Sequence, residues 1–275
     1  MIVKNKLKNI YIDTFQNIKM ADHNYRMFVI PKNTRLGPII KNTRVSKMSW
    51  DKNDLIGVIS HTKIKIGQIN LDQEVGKWIR RYAEDIEYNT YLEIGTWNGY
   101  GSTKCFADGF TKRKDDNYIF YSLECNTDKF NIAKEIYSNF KNFHILNEVF
   151  FNDMPKNIYE MFPELLENTT LKHWNDIDFE NMKNKSIFLN RKDLPEIFDV
   201  ILLDGGDYTT YYEYQFIKDR CRILILDDTN VPKCKQIVKE LKSEPDKWEI
   251  LMETNERNGN VVAKRKMYVI KNHLN

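Results

Sequence analysis

Glycine is scarce in this chain, with 11 among 275 residues, so any cluster of glycines is a positional signal rather than background. Cysteine is scarcer. Cys105, Cys125, Cys221 and Cys234 stand far apart with no C-x-x-C pair, which excludes a zinc knuckle or a disulfide framework and leaves reduced thiols as the reading. No apolar run approaches the ~20 residues needed to cross a bilayer. The lysine-bearing N-terminus also lacks the continuous apolar stretch of a secretory signal. A cytoplasmic location without a membrane partner is the expectation. An excess of one charge is missing too: 42 basic against 39 acidic side chains leave +3, which gives no electrostatic footprint for nucleic acid. The histidines, His23, His61, His144, His173 and His273, are dispersed and form no pattern for a His-based metal site.

What is present suits a folded core. Hydrophobic residues make up 41%, with 15 Phe and 15 Tyr, and at roughly 100–200 residues per domain the length implies one large domain with an appendage. Residues 1–70 are rich in Lys and Asn without a sustained period. They read as an N-terminal extension, in the place of a lid or an oligomerisation element, and a homo-oligomer is compatible with that. From Leu71 to Ile86 the apolar positions Val75, Trp78, Ile79 and Tyr82 recur at helical spacing, with Asp72 as the expected N-cap. The pattern then changes to short apolar runs, "TYLEIG", "NYIFYSLE", "FHILNEV", "FDVILLD" and "RILILDD", separated by helical stretches. Fully apolar strands between helices are what a parallel sheet covered on both faces requires, so the fold class is doubly wound α/β. The segment "KWEILMETNERNGNVVAKRKMYVIK" adds two strand-like runs around a turn, a terminal antiparallel hairpin. Phe151 to Glu196, which includes Trp174, is too long for a plain connection and reads as an insertion, either an extra helix or a loop over the site.

The glycines cluster at Gly95, Gly99 and Gly101, directly after "YLEI". Such a turn between a buried strand and a helix brings backbone and helix N–H groups close to a ligand. The spacing G-x-x-x-G-x-G departs from the G-x-G-x-x-G of a dinucleotide fold, and Glu93 ahead of it opposes phosphate while suiting a cation or an amino group.

"YLEIGTWNGYGST" resembles the first motif of class I S-adenosylmethionine-dependent methyltransferases, and "LEIGTWNGY" more narrowly the catechol O-methyltransferase type and the related metal-dependent sugar O-methyltransferases. The resemblance implies a Rossmann-like seven-stranded sheet over residues 71–275, interrupted by the insertion around 151–196. It also implies a loop formed by Glu93, Gly95, Trp97, Gly99 and Gly101 around the methionine end of S-adenosylmethionine. "IFYSLECNTDKFNIAKEIY" is similar to the second strand and helix of that family, which gives Glu124 the ribose hydroxyls. An acid some ~20 residues past the glycine turn fits that role independently. "FHILNEVF" takes the place of the third strand near the adenine, with Asn147 on the cofactor.

Two further apolar runs end in acid, "FDVILLDGGDY" and "RILILDDTN". Neighbouring parallel strands start from backbones ~4.8 Å apart, so Asp204, Asp227 and Asp228 would share one edge. Carboxylates that close take up a proton or bind a cation. An all-oxygen set suits Mg2+, and ordinary helix capping by Asp227 or Asp228 is the competing reading. The resemblance assigns Mg2+ to these acids, with Asp204 also beside the cofactor, and places adjacent hydroxyls of a small-molecule acceptor on the metal. Where the catechol-type pattern has a lysine three residues after the fourth-strand acid, this chain has Asp207, the candidate general base, with an added metal ligand or a cap of the next helix as the other readings. The glycine pair usual before the fifth strand is absent from "KDRCRILIL". Tyr208, Tyr211, Tyr212 and Tyr214 read either as an aromatic acceptor pocket or as helix core, with core favoured for at least two of them.

The expected activity is methyl transfer to a hydroxyl of a sugar or catechol-like acceptor. An RNA or other nucleic-acid methyltransferase is disfavoured by the charge balance and by "LDGGDY" standing where a D/N-P-P-Y/F loop would be. A catalytically silent cofactor-binding subunit and a nicotinamide oxidoreductase are the remaining alternatives.

Overall fold

The computed structural model describes residues 68–266. The extension read over residues 1–70 therefore lies outside the described residues, except for its last three, as does the final run "MYVIK". The first helix, α1 (Glu74–Glu84), buries Val75, Ile79, Tyr82 and Ala83 on one face. Its N-cap is Gln73 rather than the expected Asp72, and no side chain caps it. Asp72 instead donates its own N–H to Asn70 Oδ1 at 2.9 Å, in a turn that precedes the helix.

The sheet follows from the apolar runs. Strands β1 (Thr90–Ile94), β2 (Ile119–Leu123), β3 (Phe143–Leu146), β6 (Phe198–Leu203) and β7 (Cys221–Asp227) pair in parallel. β8 (Trp248–Thr254) and β9 (Asn260–Arg265) form the terminal hairpin, and β9 lies antiparallel between β7 and β8. The seven-stranded order is β3-β2-β1-β6-β7-β9-β8. This is the doubly wound α/β class read from the sequence, hairpin included.

Because side chains alternate along a strand, one face carries Tyr91, Phe120, Val200, Leu202, Ile223 and Ile225 into a core shared with α1, α2 (Ser102–Phe110) and α3 (Thr127–Ile136). The other face carries Leu92, Ile94, Tyr121, Ile201, Leu203, Leu224 and Leu226 against α7 (Thr210–Ile217) and α8 (Pro232–Ser243). Burial on both faces is why the strands are apolar throughout.

The run "FHILNEV" breaks at Asn147. Its last residues form β4 (Glu148–Val149), which leaves the main sheet and pairs with β5 (Ser186–Ile187). Between these strands lie α4 (Ile158–Met161), α5 (Glu164–Glu167) and α6 (Thr169–Met182). Ile158, Phe162, Leu165, Phe179 and Met182 give the insertion a small core of its own, closed by Tyr208. Strand order reverses at β1: β2 and β3 lie to one side, and β6 onward to the other. The crevice between the loops after β1 and β6 is a switch point, the place where open α/β sheets bind ligands.

Candidate functional site

The glycine turn lies at that switch point. Gly95 (φ +97°), Trp97 (+51°) and Gly99 (+82°) take left-handed backbone in alternation. A Cβ on Gly95 would stand 2.0 Å from the carbonyl oxygen of Asp204, so the turns after β1 and β6 touch backbone to backbone. At Gly99 the carbonyl accepts from Tyr137 Oη at 2.5 Å, and Gly101 is the N-cap residue of α2. The crowding that demands glycine at 95 is therefore against protein.

Glu93 is fully buried. Its Oε1 accepts from Ser102 Oγ (2.6 Å), and its Oε2 from Thr103 Oγ1 (2.7 Å) and Ser122 Oγ (2.5 Å). Burial pushes the carboxyl up to about 7, against the pull of these hydroxyls. Its oxygens tie β1 to β2 and to the start of α2, and protein encloses the side chain on every side. Both its position and its acidity were visible in the sequence, but the three hydroxyls that surround it were not.

Glu124, just past the end of β2, bonds into the same turn. Its Oε2 accepts the Trp97 N–H at 2.7 Å and its Oε1 the Asn126 N–H at 2.8 Å. Burial raises it to about 7, although the two N–H donors oppose the shift. Each oxygen retains acceptor capacity beyond its one donor. Half-buried Trp97 has Lys129 Nζ 3.9 Å from its ring centroid. Asn147 bonds to the same segment. Its Nδ2 donates to the carbonyls of Glu124 (2.6 Å) and Cys125 (3.1 Å), and its Oδ1 accepts from Lys185 Nζ at 2.6 Å. The amide closes the gap left where β4 departs.

The strand-end acids converge. Asp204, Asp227 and Asp228 each bring a carboxylate oxygen within 4.8 Å of the others. Sequence reasoning missed what lies among them. Lys233, from the first turn of α8, places Nζ 2.6 Å from Asp204 Oδ1 and 3.0 Å from Asp228 Oδ2, with its side chain 4% exposed. The hairpin turn adds Asn258 Nδ2 to Asp228 Oδ1 (3.0 Å) and Asn260 Nδ2 to Asp227 Oδ1 (2.5 Å). Arg257 Nη2 stands 3.1 Å from Asp227 Oδ2, an ion pair without hydrogen-bond alignment.

Burial, then Asp204 and Asp228, push the Asp227 carboxyl upward. For Asp228 burial pulls in the same direction, but Lys233, Arg257 and Asn258 outweigh it and hold the carboxyl below its ordinary range. A lysine in the first turn of a helix opposes the helix dipole unless anions face it. That anomaly, five residues after Asp228 and next to Pro232, was the available signal for Lys233.

Around this cluster stand further carboxyls. Asp207 is raised by burial, then by Asp228 and Asp204, against Lys233. From the insertion, α6 brings Asp178 over the loop after β6, with Oδ2 2.9 Å from where a Cβ of Gly206 would be. Burial and then Asp207 raise Asp178 to about 7. Glu213 on α7 is raised to about 8 by burial, and its Oε2 has no hydrogen-bond partner among the described residues. Nor does Nδ2 of buried Asn175, one helical turn before Asp178. The tyrosines brace: Tyr214 is core, Tyr208 closes the insertion's core, Tyr211 Oη donates to Glu240 (2.6 Å) and Tyr212 Oη to Asn157 (3.1 Å). Among the described residues no helix is long and apolar enough to cross a membrane.

No protein-family model and no curated protein sequence matches this chain. Solved structures do show likeness. An O-methyltransferase from Bacillus cereus in complex with SAH is 16% identical, with 85% of this chain and 98% of that one covered at a TM-score of 0.48. The SAH-bound methyltransferase of Podospora anserina is 14% identical over 88% and 100% at 0.43. The O-methyltransferase of Streptomyces achromogenes involved in tomaymycin synthesis, in complex with SAM, is 12% identical over 76% and 86% at 0.44.

Proposed function

We propose that this chain transfers a methyl group from S-adenosylmethionine to a hydroxyl of a small polyhydroxylated acceptor, a sugar or a catechol-like ring. The observation that supports it is the convergence, on one switch-point edge, of the left-handed turn at Gly95–Gly99, the β2-end acid Glu124 and the acid cluster at the ends of β6 and β7. In this reading Glu124 accepts the ribose hydroxyls with the lone pairs its backbone donors leave. Trp97 and the turn from Gly95 to Gly101 hold the methionine end. Asp204, 23% exposed and so the outermost acid of the cluster, orients the acceptor hydroxyl in line with the methyl–sulfur bond, the arrangement that methyl transfer requires. Asp207 takes the hydroxyl proton. Its upward shift makes it a stronger base than a solvated aspartate.

A second reading adds Mg2+ or a similar divalent cation, which Asp204, Asp227 and Asp228 would hold. It is favoured by the all-carboxylate donor set. When bound, the ion would lower the pKa of the acceptor hydroxyl. The residues as arranged do not fit it, because the Lys233 ammonium lies between Asp204 and Asp228 and would have to leave.

Calorimetric titration of the full chain with S-adenosylhomocysteine, with and without Mg2+, tests both readings. Binding is expected in either condition and should weaken by about tenfold or more in Glu124→Ala, at 1.4 kcal/mol per tenfold. No binding in either condition would remove the methyltransferase reading. Affinity or activity that needs Mg2+ would favour the second.

A further inference from the structure

Lys233 is a costly residue to place where it stands. Its ammonium is almost fully withdrawn from water, which costs several kcal/mol per ion before pairing repays it. It also occupies the first turn of α8, where no acidic side chain of the helix offsets the dipole. What compensates it is the cluster: Asp204 Oδ1 and Asp228 Oδ2 accept from it at 2.6 and 3.0 Å. The other oxygens are also engaged, Asp228 Oδ1 by Asn258, Asp227 Oδ1 by Asn260 and Asp227 Oδ2 by the Arg257 ion pair. Among the described residues this leaves Asp204 Oδ2 as the carboxylate oxygen without a protein partner, on the most exposed acid of the set.

We infer that Lys233 is the resident cation of this site, neutralising Asp204 and Asp228 in place of a divalent ion. The argument is one of charge and space. The three carboxylates face the two protein cations Lys233 and Arg257, so most of the repulsion that would recruit a metal is already cancelled. Mg2+ needs oxygens at about 2.0–2.1 Å in near-octahedral order. Here Asp204 and Asp228 are set apart by an N–H donor at hydrogen-bond distance from each, and carboxamide donors occupy Asp227 and Asp228 on their other sides.

The test uses Mn2+ as the probe, with bound ion read by electron paramagnetic resonance on the full chain. Wild type is expected to leave millimolar Mn2+ free. Lys233→Gln, which keeps much of the length of the side chain and removes its charge, is expected to bind Mn2+ about a hundredfold more tightly than wild type, and Asp227→Asn in that background should abolish the gain. Lys233→Arg, which keeps the charge, should bind none; it serves as the folded control if the glutamine variant is unstable. Mn2+ binding by wild type that Asp227→Asn removes would overturn the inference, as would a folded Lys233→Gln with no gain. None of these readouts involves donor or acceptor, so they succeed or fail independently of the calorimetric test of methyl transfer.

Discussion

Replacing Glu93 by glutamine isolates the energy of one buried carboxyl. Glu93 is fully buried, and burial lifts it from 4.5 to about 7. A carboxyl whose folded pKa lies above its unfolded value contributes stability that is complete below the unfolded pKa and is lost as pH rises through the folded one. Over the window from about pH 5.5 to about pH 8, a shift of this size removes about 2 kcal/mol, at about 1.4 kcal/mol per unit. The carboxamide of Glu93→Gln would keep the shape and still meet Ser102, Thr103 and Ser122, whose hydroxyls can turn to donate or accept, but it cannot titrate. Urea unfolding of both proteins at the two pH values, followed by tryptophan fluorescence, gives the comparison. The stability of wild type relative to Glu93→Gln should fall by about 2 kcal/mol between the lower and the higher pH. Equal pH slopes in the two proteins would refute the reasoning, because they would mean that the carboxyl is hydrated and available to a ligand.

Gly95→Ala should be destabilised by more than about 3 kcal/mol, since left-handed backbone alone costs about 1–3 and the new methyl would stand 2.0 Å from Asp204 O. A thermal melt matching wild type would show that the two turns do not touch. Asn126 caps α3 by accepting from the N–H groups of Asp128 and Lys129, so Asn126→Ala should lose about 1 kcal/mol in urea unfolding, and a neutral result would dissolve the cap. Asp207→Asn should remove the acid limb from the pH profile of kcat/KM for the proposed methyl transfer. If the limb persists, another of the raised carboxyls, with Asp178 the first candidate, takes the proton.

The strands were legible because a sheet buried on both faces leaves a mark in local composition, and each of the five apolar runs contributes a main-sheet strand. The convergence of Asp204, Asp227 and Asp228 was legible for a related reason: neighbouring parallel strands that end in acid must end on the same edge. What each acid does there was not, because that depends on partners distant in the chain. Glu93 and Glu124 look alike in sequence, each an acid beside a turn. One is enclosed by hydroxyls from α2 and β2, and the other accepts two backbone N–H groups. Asn260 reaches Asp227 only because β9 inserts between β7 and β8, a pairing that no local pattern encodes. Asp72 shows the reverse error, a sound capping residue whose place is taken by a turn centred on Asn70.

The two-residue ladder between β4 and β5 aligns Glu148 with Ser186 and Val149 with Ile187, so the insertion departs and returns at nearly one point. Its length can change without moving either end, because each doubling of a closed loop costs only about 0.6 kcal/mol. Substitution or shortening between Asp153 and Lys183 would therefore remodel what faces the acid edge, Asp178 included, while the crossover from β3 to β6 keeps its anchor points. In such an architecture the residues that face the acid edge can change independently of the sheet beneath them.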